Sequence, residues 1–548
     1  MKYHYILLLP LIFLFSQCSG LVEKMEGEEY EKEFEIRDGV SEFSMVFSGN
    51  VNGETHPCGC RNFPLGGIPQ VAGALKKIEK KHPVLFVDAG DTFFPSATVP
   101  ESMKDSHLFI ARKIHDFYNK MGLKYMVFGD QDLAYGFNFL EELSKTASYT
   151  FLVSNLKPGT KIKYKRWVKI KVGSKYLFLT GVIDPATIRS HLKNHFTNPL
   201  AGLKNVYKEI QKAGFVSKRD HFVVISHSGM NTDLNLSAKL PQIDWFVGAH
   251  SQSFNNYPKT SGKTNLVQVL SRNHYLGQIT IPLGKKRKGK YAQIQVRDEL
   301  KDQLKPNPYI AEMDIFKQKL SKIQLTEQNK MGQFQTEFDY PTATSCVECH
   351  QEQTKFWGST AHSLAYHTLM RVKELNNPKC LKCHTLGYRM KTGFSKTQDL
   401  IHFSEQNALK KSKVASLKKA YFRALYRSLG ELGALRQTSG FQITKHKKVW
   451  DKIDEKYKVD ENFANVQCAH CHRKTSAHPF DSGDGPPKMA KSKKIHKMKT
   501  NCVKCHTKDQ SPEWYEKNSK GLPGKLGQAQ FLSKLREVAC PKRTESGN

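Results

Sequence analysis

The sequence predicts a multidomain chain in which a layered α/β domain comes first and a mainly α-helical domain follows. Three observations carry this. At 548 residues the chain is longer than one hydrophobic core organises, since single cores stop growing at roughly 250–300 residues. Residues 44–300 alternate short apolar runs with amphipathic stretches, which is the rhythm of a layered α/β fold. Beyond residue 344 that rhythm stops, and eight cysteines fall into four Cys-x-x-Cys-His motifs.

The chain opens as a targeting segment. Lys2 supplies a positive start, and Ile6 to Phe15 form an apolar run too short to span a bilayer as a helix. The run ends at Phe15-Ser16-Gln17-Cys18, which resembles a bacterial lipoprotein lipobox. The resemblance implies a signal peptide over 1–17, acylation of Cys18, and export. A lipid anchor would then hold the chain on the periplasmic side of the bacterial membrane or on the outer membrane. The alternative is a simple secretory peptide cleaved nearby, with Cys18 incidental; Leu is commoner than Phe at the first position and a small residue at the third. Residues 18–43 are mostly charged and read as a tether with nothing to bury.

The α/β domain is expected over 44–300. Strand-like runs are Phe43–Phe47, Val84–Val87, Tyr125–Phe128, Tyr149–Val153, Tyr176–Val182, Phe222–Ile225, Trp245–Val247 and Leu266–Leu270; Val71–Glu79 and Leu108–Lys120 are amphipathic and helical. Polar residues gather just after the strands, where such folds build sites. Gly284-Lys-Lys-Arg-Lys-Gly289 separates two alternating strands and reads as an exposed hairpin turn. Residues 301–343 make a charged, helix-prone connector, and 344–548 the second domain.

The four motifs are Cys346-Val-Glu-Cys349-His350, Cys380-Leu-Lys-Cys383-His384, Cys468-Ala-His-Cys471-His472 and Cys502-Val-Lys-Cys505-His506. Disulfides, or zinc sites built from paired Cys-x-x-Cys hooks, do not explain a histidine after every second cysteine. Covalent haem does. Two thiols three residues apart add to the vinyl groups on one porphyrin edge, and the next histidine binds the iron axially. Four c-type haems are therefore expected, so the second domain is a multihaem cytochrome c with haem supplying most of its core. The motifs are spaced as two pairs, 34 residues from Cys346 to Cys380 and again from Cys468 to Cys502, suggesting two di-haem units. Between them, residues 403–437 read as a basic amphipathic scaffold helix, with Ala415, Leu417, Ala420, Leu425, Leu429 and Leu432 on its apolar side.

Lys plus Arg exceed Asp plus Glu by 85 − 51 = 34. That excess favours redox partner proteins with acidic surfaces, or anionic lipid headgroups. Nucleic acid is not expected as a partner, because export signal and haem motifs point to a compartment without it.

Two family resemblances sharpen these readings. Ser48-Gly-Asn50-Val-Asn52-Gly53, Val87-Asp-Ala-Gly-Asp91, Gly129-Asp130-Gln131-Asp132, Ser226-His227 and Gly248-Ala-His250-Ser-Gln252 resemble, in that order, the motifs of the calcineurin-like metallophosphoesterases. The bacterial 5′-nucleotidase branch is the nearest. The family holds two metals that activate water for attack on a phosphoester. The resemblance implies Asp91, Asp130, His227 and His250 as ligands of one divalent metal, with carboxylate and imidazole suiting Zn, Mn or Fe. Asn50, Asn52 and Gln252 are weaker candidates, since Asn50 and Asn52 replace the family's Asp and His. His56-Pro-Cys58-Gly-Cys60 follows directly. Cys58 and Cys60 are either soft ligands near the vacated position or thiols of a disulfide or a buried pair. Cys540 is a disulfide partner or a free thiol. Phe356-Trp-Gly-Ser-Thr-Ala-His362 and the second motif resemble the tetrahaem cytochrome c554 family. That resemblance implies His362 and His478 as distal haem ligands; His367, His402, His446 and His496 are further candidates, each of which reads better as a surface histidine.

The expected function is electron transfer by an exported, anchored multihaem cytochrome with a degenerate metallophosphoesterase-like domain. The alternatives are a haem oxidoreductase acting on a small nitrogen or sulfur compound, and an active phosphoester or 5′-nucleotide hydrolase fused to a cytochrome.

Overall fold

A computed structural model describes residues 36, 39–57, 64–188, 191–253, 255–284, 289–332, 340–347, 350–404, 406, 409–430, 438–472, 491–508, 510–517 and 523–541. Cys18, Cys58, Cys60, Cys349 and His478 lie outside them, as do the signal segment and most of the tether. The chain divides into two compact units. One holds Met1–Thr55, Gly66–Thr98 and Ile114–Asn307; the other holds His56–Leu65, Val99–Lys113 and Pro308–Asn548. No described helix is long and apolar enough to cross a membrane.

Among the described residues the first unit is built on thirteen strands: β1 (Glu42–Ser48), β2 (Val84–Asp88), β3 (Leu123–Met126), β4 (Thr150–Leu152), β5 (Tyr164–Lys165), β6 (Trp167–Val172), β7 (Lys175–Ile183), β8 (His221–His227), β9 (Trp245–Gly248), β10 (Lys259–Ser261), β11 (Thr264–Gln268), β12 (Tyr275–Pro282) and β13 (Lys290–Gln295). They form two sheets, ordered β13-β12-β1-β2-β3-β4-β5 and β10-β11-β9-β8-β7-β6. The sheets touch closely at Gly181 on β7, where any Cβ would fall 1.9 Å from the Leu152 carbonyl oxygen of β4. Helices α1 (Ile68–Glu79), α2 (Lys104–Lys120, whose first part to Lys113 groups with the second unit), α3 (Phe137–Thr146), α4 (Pro199–Lys212) and α5 (Met230–Lys239) alternate with the strands. Leu203, Val206 and Ile210 of α4 pack with Phe178, Phe222 and Val224 of the second sheet, the i, i+3, i+7 stripe of a helix lying on a sheet. β12 and β13 pair antiparallel around the basic turn.

The second unit is mainly helical. Its helices are α6 (Pro308–Gln328), α7 (Thr344–Val347), α8 (Gln351–Trp357), α9 (Ala365–Val372), α10 (Pro378–His384), α11 (Lys411–Leu429), α12 (Gly440–Lys456), α13 (Cys468–Cys471), α14 (Lys491–Cys502) and α15 (Gln528–Val538). Short ladders β14 (Ile401–Phe403) with β15 (Val459–Asn462), and β16 (Tyr515–Lys517) with β17 (Pro523–Leu526), complete it. α6 falls in the stretch expected to be a connector, yet it buries Met313, Phe316 and Leu320. Leu364, Tyr366, Leu369, Leu381, Tyr421, Leu425, Trp450 and Phe463 form a protein core of their own.

The basic helix is shorter than expected, and its buried face keeps Leu417, Leu425 and Leu429 of the expected stripe but not the alanines. α11 begins at Lys411, beyond the strand at 401–403. Its buried stripe is Tyr421, Leu425 and Leu429, four residues apart; Ala415 and Ala420 are exposed. One bulky aromatic outweighs two alanines in deciding which face turns inward, because it buries far more apolar area.

Candidate functional site

In the first unit, β1, β2 and β3 run parallel, as do β7, β8 and β9. The carboxyl ends of β1, β2, β3, β8 and β9 deliver Asn50, Asp91, Asp130, His227 and His250, the usual place for a site in α/β sheets. Asp91, Asp130, His227 and His250 converge, each offering a ligand atom, with those atoms all within 4.8 Å of one another. His227 Nε2 lies 3.3 Å from Asp91 Oδ1 and 3.3 Å from Asp130 Oδ1, and His250 Nδ1 lies 3.0 Å from Asp130 Oδ1. His227 Nδ1 donates to the Ala89 carbonyl at 2.8 Å, which fixes the tautomer and leaves Nε2 as the ligating nitrogen.

Glycine makes room for this. A Cβ on Gly129 would sit 2.2 Å from Asp91 Oδ1 and 2.6 Å from His227 Nε2, so residue 129 can be nothing larger. Asn50, Asn52, Asp91, His250 and Gln252 all adopt positive φ, a clustering of strained backbone that functional sites tend to show. Burial opposes ionisation of Asp130, yet hydrogen bonds from His227 and His250 hold its carboxyl well below the usual range. Burial also opposes charge on His227, but Asp91 and Asp130 hold its pKa well above normal. Two imidazoles and two carboxylates around one point suit a divalent cation, and a proton on His227 stands where such a cation would bind.

The weaker candidates behave differently. Asn50 Oδ1 accepts from His250 N at 2.9 Å, and its Nδ2 donates to the Leu270 carbonyl at 3.0 Å; both ends of the amide hold loops. Asn52 N donates to Asp91 O at 2.8 Å, while its Oδ1 is buried without a partner. Gln252 is exposed. The motif-based reading missed Asp132. It is fully buried, and its Oδ1 accepts from Thr92 N and Phe93 N, its Oδ2 from Asp91 N and Gly129 N, all at 2.8–2.9 Å. One carboxylate thus pins both loops that carry the aspartate ligands. The only sequence signal was its place two residues beyond Asp130.

In the second unit, Cys380, Cys383 and His384 share α10, and positions i, i+3 and i+4 lie on one helical face. Cys468 and Cys471 share α13, with His472 capping it. Cys502 closes α14, and Cys346 lies on α7. Cys540, which the sequence left as a disulfide partner or a free thiol, is an exposed free thiol. His384 Nδ1 donates to the Ala365 carbonyl at 2.7 Å. His506 Nδ1 bonds Ser511 Oγ at 2.8 Å, its ring stacked on Trp514 at 4.1 Å. In each case Nε2 is the nitrogen left for iron. The His362 ring centroid lies 6.2 Å from that of His506, room for one metal atom between two imidazoles.

The Cys346 thiol lies within hydrogen-bond reach of the Cys468 thiol, and the Cys383 thiol within reach of Cys505. The first motif therefore lies beside the third and the second beside the fourth. His367 is 1% exposed, with Nε2 donating to the Leu429 carbonyl; it is a buried histidine and not a surface one. His402 pairs with Glu461, and His446 Nδ1 bonds the Gln442 carbonyl.

Comparison with known proteins agrees with both resemblances. Residues 345–408 match the family model for cytochrome c554 and c-prime. The chain is 24% identical over 248 residues to the snake venom 5′-nucleotidase of Gloydius brevicauda, covering 39% of this chain and 40% of that one. It is 23% identical over 252 residues to the 5′-nucleotidase of Bos taurus, covering 40% and 42%. The chain thus spans about two fifths of the length of these curated relatives. Similar solved structures include the Thermus thermophilus sulfate thiohydrolase SoxB in complex with glycerol (16% identity, TM-score 0.41, 50% of this chain and 61% of that one). Another is a 5′-nucleotidase precursor, also from Thermus thermophilus (20% identity, TM-score 0.40, 50% and 60%). The chain joins an N-terminal region homologous to the 5′-nucleotidases and calcineurin-like phosphoesterases to a segment that matches the cytochrome c554 family model.

Proposed function

We propose that this chain is an exported, lipid-anchored tetrahaem cytochrome that carries electrons between acidic partner proteins. Its metallophosphoesterase-like domain binds one divalent metal and is a poor hydrolase. The observation that carries the haem reading is the four Cys-x-x-Cys-His motifs, supported by His384 and His506, whose Nδ1 atoms are already engaged. Bound there, haem supplies one-electron redox chemistry. The chain's own part is to attach it through paired thiols, orient each imidazole, and supply His362 and His478 as distal ligands.

In the first unit, Asp91, Asp130, His227 and His250 would hold a Zn, Mn or Fe ion, which supplies Lewis acidity. Two-metal hydrolysis needs a second cation to hold the other reacting oxygen. Asn50 has both amide ends committed to His250 and Leu270, so this chain is poorly equipped to hold that cation.

The test separates electron carriage from chemistry on a small nitrogen or sulfur compound, which needs an open axial position. Carbon monoxide is added to the reduced protein and the Soret band followed. An electron carrier with every axial position filled shows no change. Stoichiometric binding at one haem overturns the carrier reading in favour of an oxidoreductase.

A further inference from the structure

The segment that follows the first site's motif groups with the second unit. His56 reaches a charged cluster at the start of the second attachment helix. His56 Nε2 lies 3.2 Å from Glu374 Oε1, and the His56 ring lies 6.1 Å from Phe316, itself stacked on Phe109 at 5.4 Å. Glu374 Oε2 accepts from Asn377 Nδ2 at 3.0 Å. Asn377 is the N-cap of α10, its Oδ1 accepting from Lys379 N at 3.0 Å. Lys317 Nζ approaches the Val372 carbonyl at 3.4 Å, two residues before Glu374. Burial, and then the Lys317 charge, push the His56 pKa down to about 3. Burial also lowers the Lys317 pKa, against the pull of Glu374, Asp314 and Cys380. At the rim, Lys373 pairs with Asp314 at 3.2 Å.

A buried carboxylate and a partly buried ammonium are therefore held beside the helix that carries Cys380, Cys383 and His384. Nothing in haem attachment requires either charge. We propose that Glu374 and Lys317, shielded by His56 and Phe316, set the reduction potential of the haem attached at Cys380 and Cys383. This rests on reading that motif as a haem-attachment site. Fixed negative charge favours ferric iron and fixed positive charge favours ferrous iron, and low dielectric lets both act at a distance. Glu374 and Lys317 are positioning and tuning residues, not catalytic ones.

The experiment is a potentiometric titration of the full-length holoprotein. The second haem's step is identified as the one lost in a Cys380→Ala/Cys383→Ala variant. Glu374→Gln should raise that step's potential and Lys317→Gln should lower it. Each shift should be about tenfold in the reduction equilibrium, or ~59 mV for one electron. The other three steps should move much less. Shifts of the same sign, no shift, or equal shifts in all four steps would overturn the proposal, since a purely structural role gives no opposed signs. Lys317 is only partly buried, so Lys317→Gln keeps the test available if Glu374→Gln fails to accumulate. If the double cysteine variant retains four haems, the attachment reading itself fails, an outcome distinct from failure of the tuning claim.

Discussion

Replacing Asp132 by Asn tests how the first site is held together. The two side chains have nearly the same shape, but the amide has one acceptor oxygen where the carboxylate has two. Four backbone N–H groups, of Asp91, Thr92, Phe93 and Gly129, now point at the carboxylate. The substituted amide can satisfy one pair only, and its NH2 group faces the other. Hydrogen bonds to a charged group contribute about 1.5–3 kcal/mol each, so losing two costs about 3–6 kcal/mol, felt first as local opening of the 90–93 and 129–130 loops. At about 1.4 kcal/mol per factor of ten, exchange of those four amides should accelerate by about 10²–10⁴. Amides of β12, on the outer side of β1, should change little. Hydrogen exchange with mass spectrometry reads this directly. If the four amides exchange within tenfold of wild type, Asp132 is not the strut described.

The remaining predictions concern ligands. His227→Ala and His250→Ala should each weaken metal binding by at least about 100-fold, because changes even outside the ligand set cost about 10–100-fold; metal per chain after dialysis measures it. Affinity should fall as pH falls, since the cation must displace a proton from a His227 whose pKa is held high; metal titrations across pH 5–8 test the sign, and stronger binding at the acid end contradicts it. Asn50→Asp restores a family residue type but sets a carboxylate oxygen against the Leu270 carbonyl. It should destabilise the domain by about 1–3 kcal/mol and leave metal per chain near one, as thermal melts and elemental analysis would show. His362→Ala should turn one low-spin haem high-spin and open it to carbon monoxide; an unchanged spectrum removes His362 from the ligand set.

Much of the first unit was legible because its strands carry continuous apolar runs between turn signals, so β1, β2, β7 and β8 fall within one or two residues of the expected positions. The four converging ligands were legible through the family resemblance, whose short motifs place each one at or just beyond the carboxyl end of a strand. Asp132 was not, because its role is to accept from backbone groups 39–41 residues earlier in the chain, which leaves no local pattern. His367 was misread for a similar reason. A polar residue is buried when a carbonyl such as that of Leu429 waits for it, and the sequence shows no such partner. The grouping of His56 with the second unit depends on long-range packing against Phe316 and Glu374, whereas adjacency in sequence pointed to the metal site.

The central claim is that the second unit carries four covalent haems. The most direct measurement is the haem-to-protein ratio of the full-length chain, expressed with a c-type maturation system and run through denaturing electrophoresis. Four haems per chain should survive denaturation, and three after Cys349→Ala or His350→Ala. A chain that emerges with zinc at the cysteine motifs and no covalent haem would contradict it.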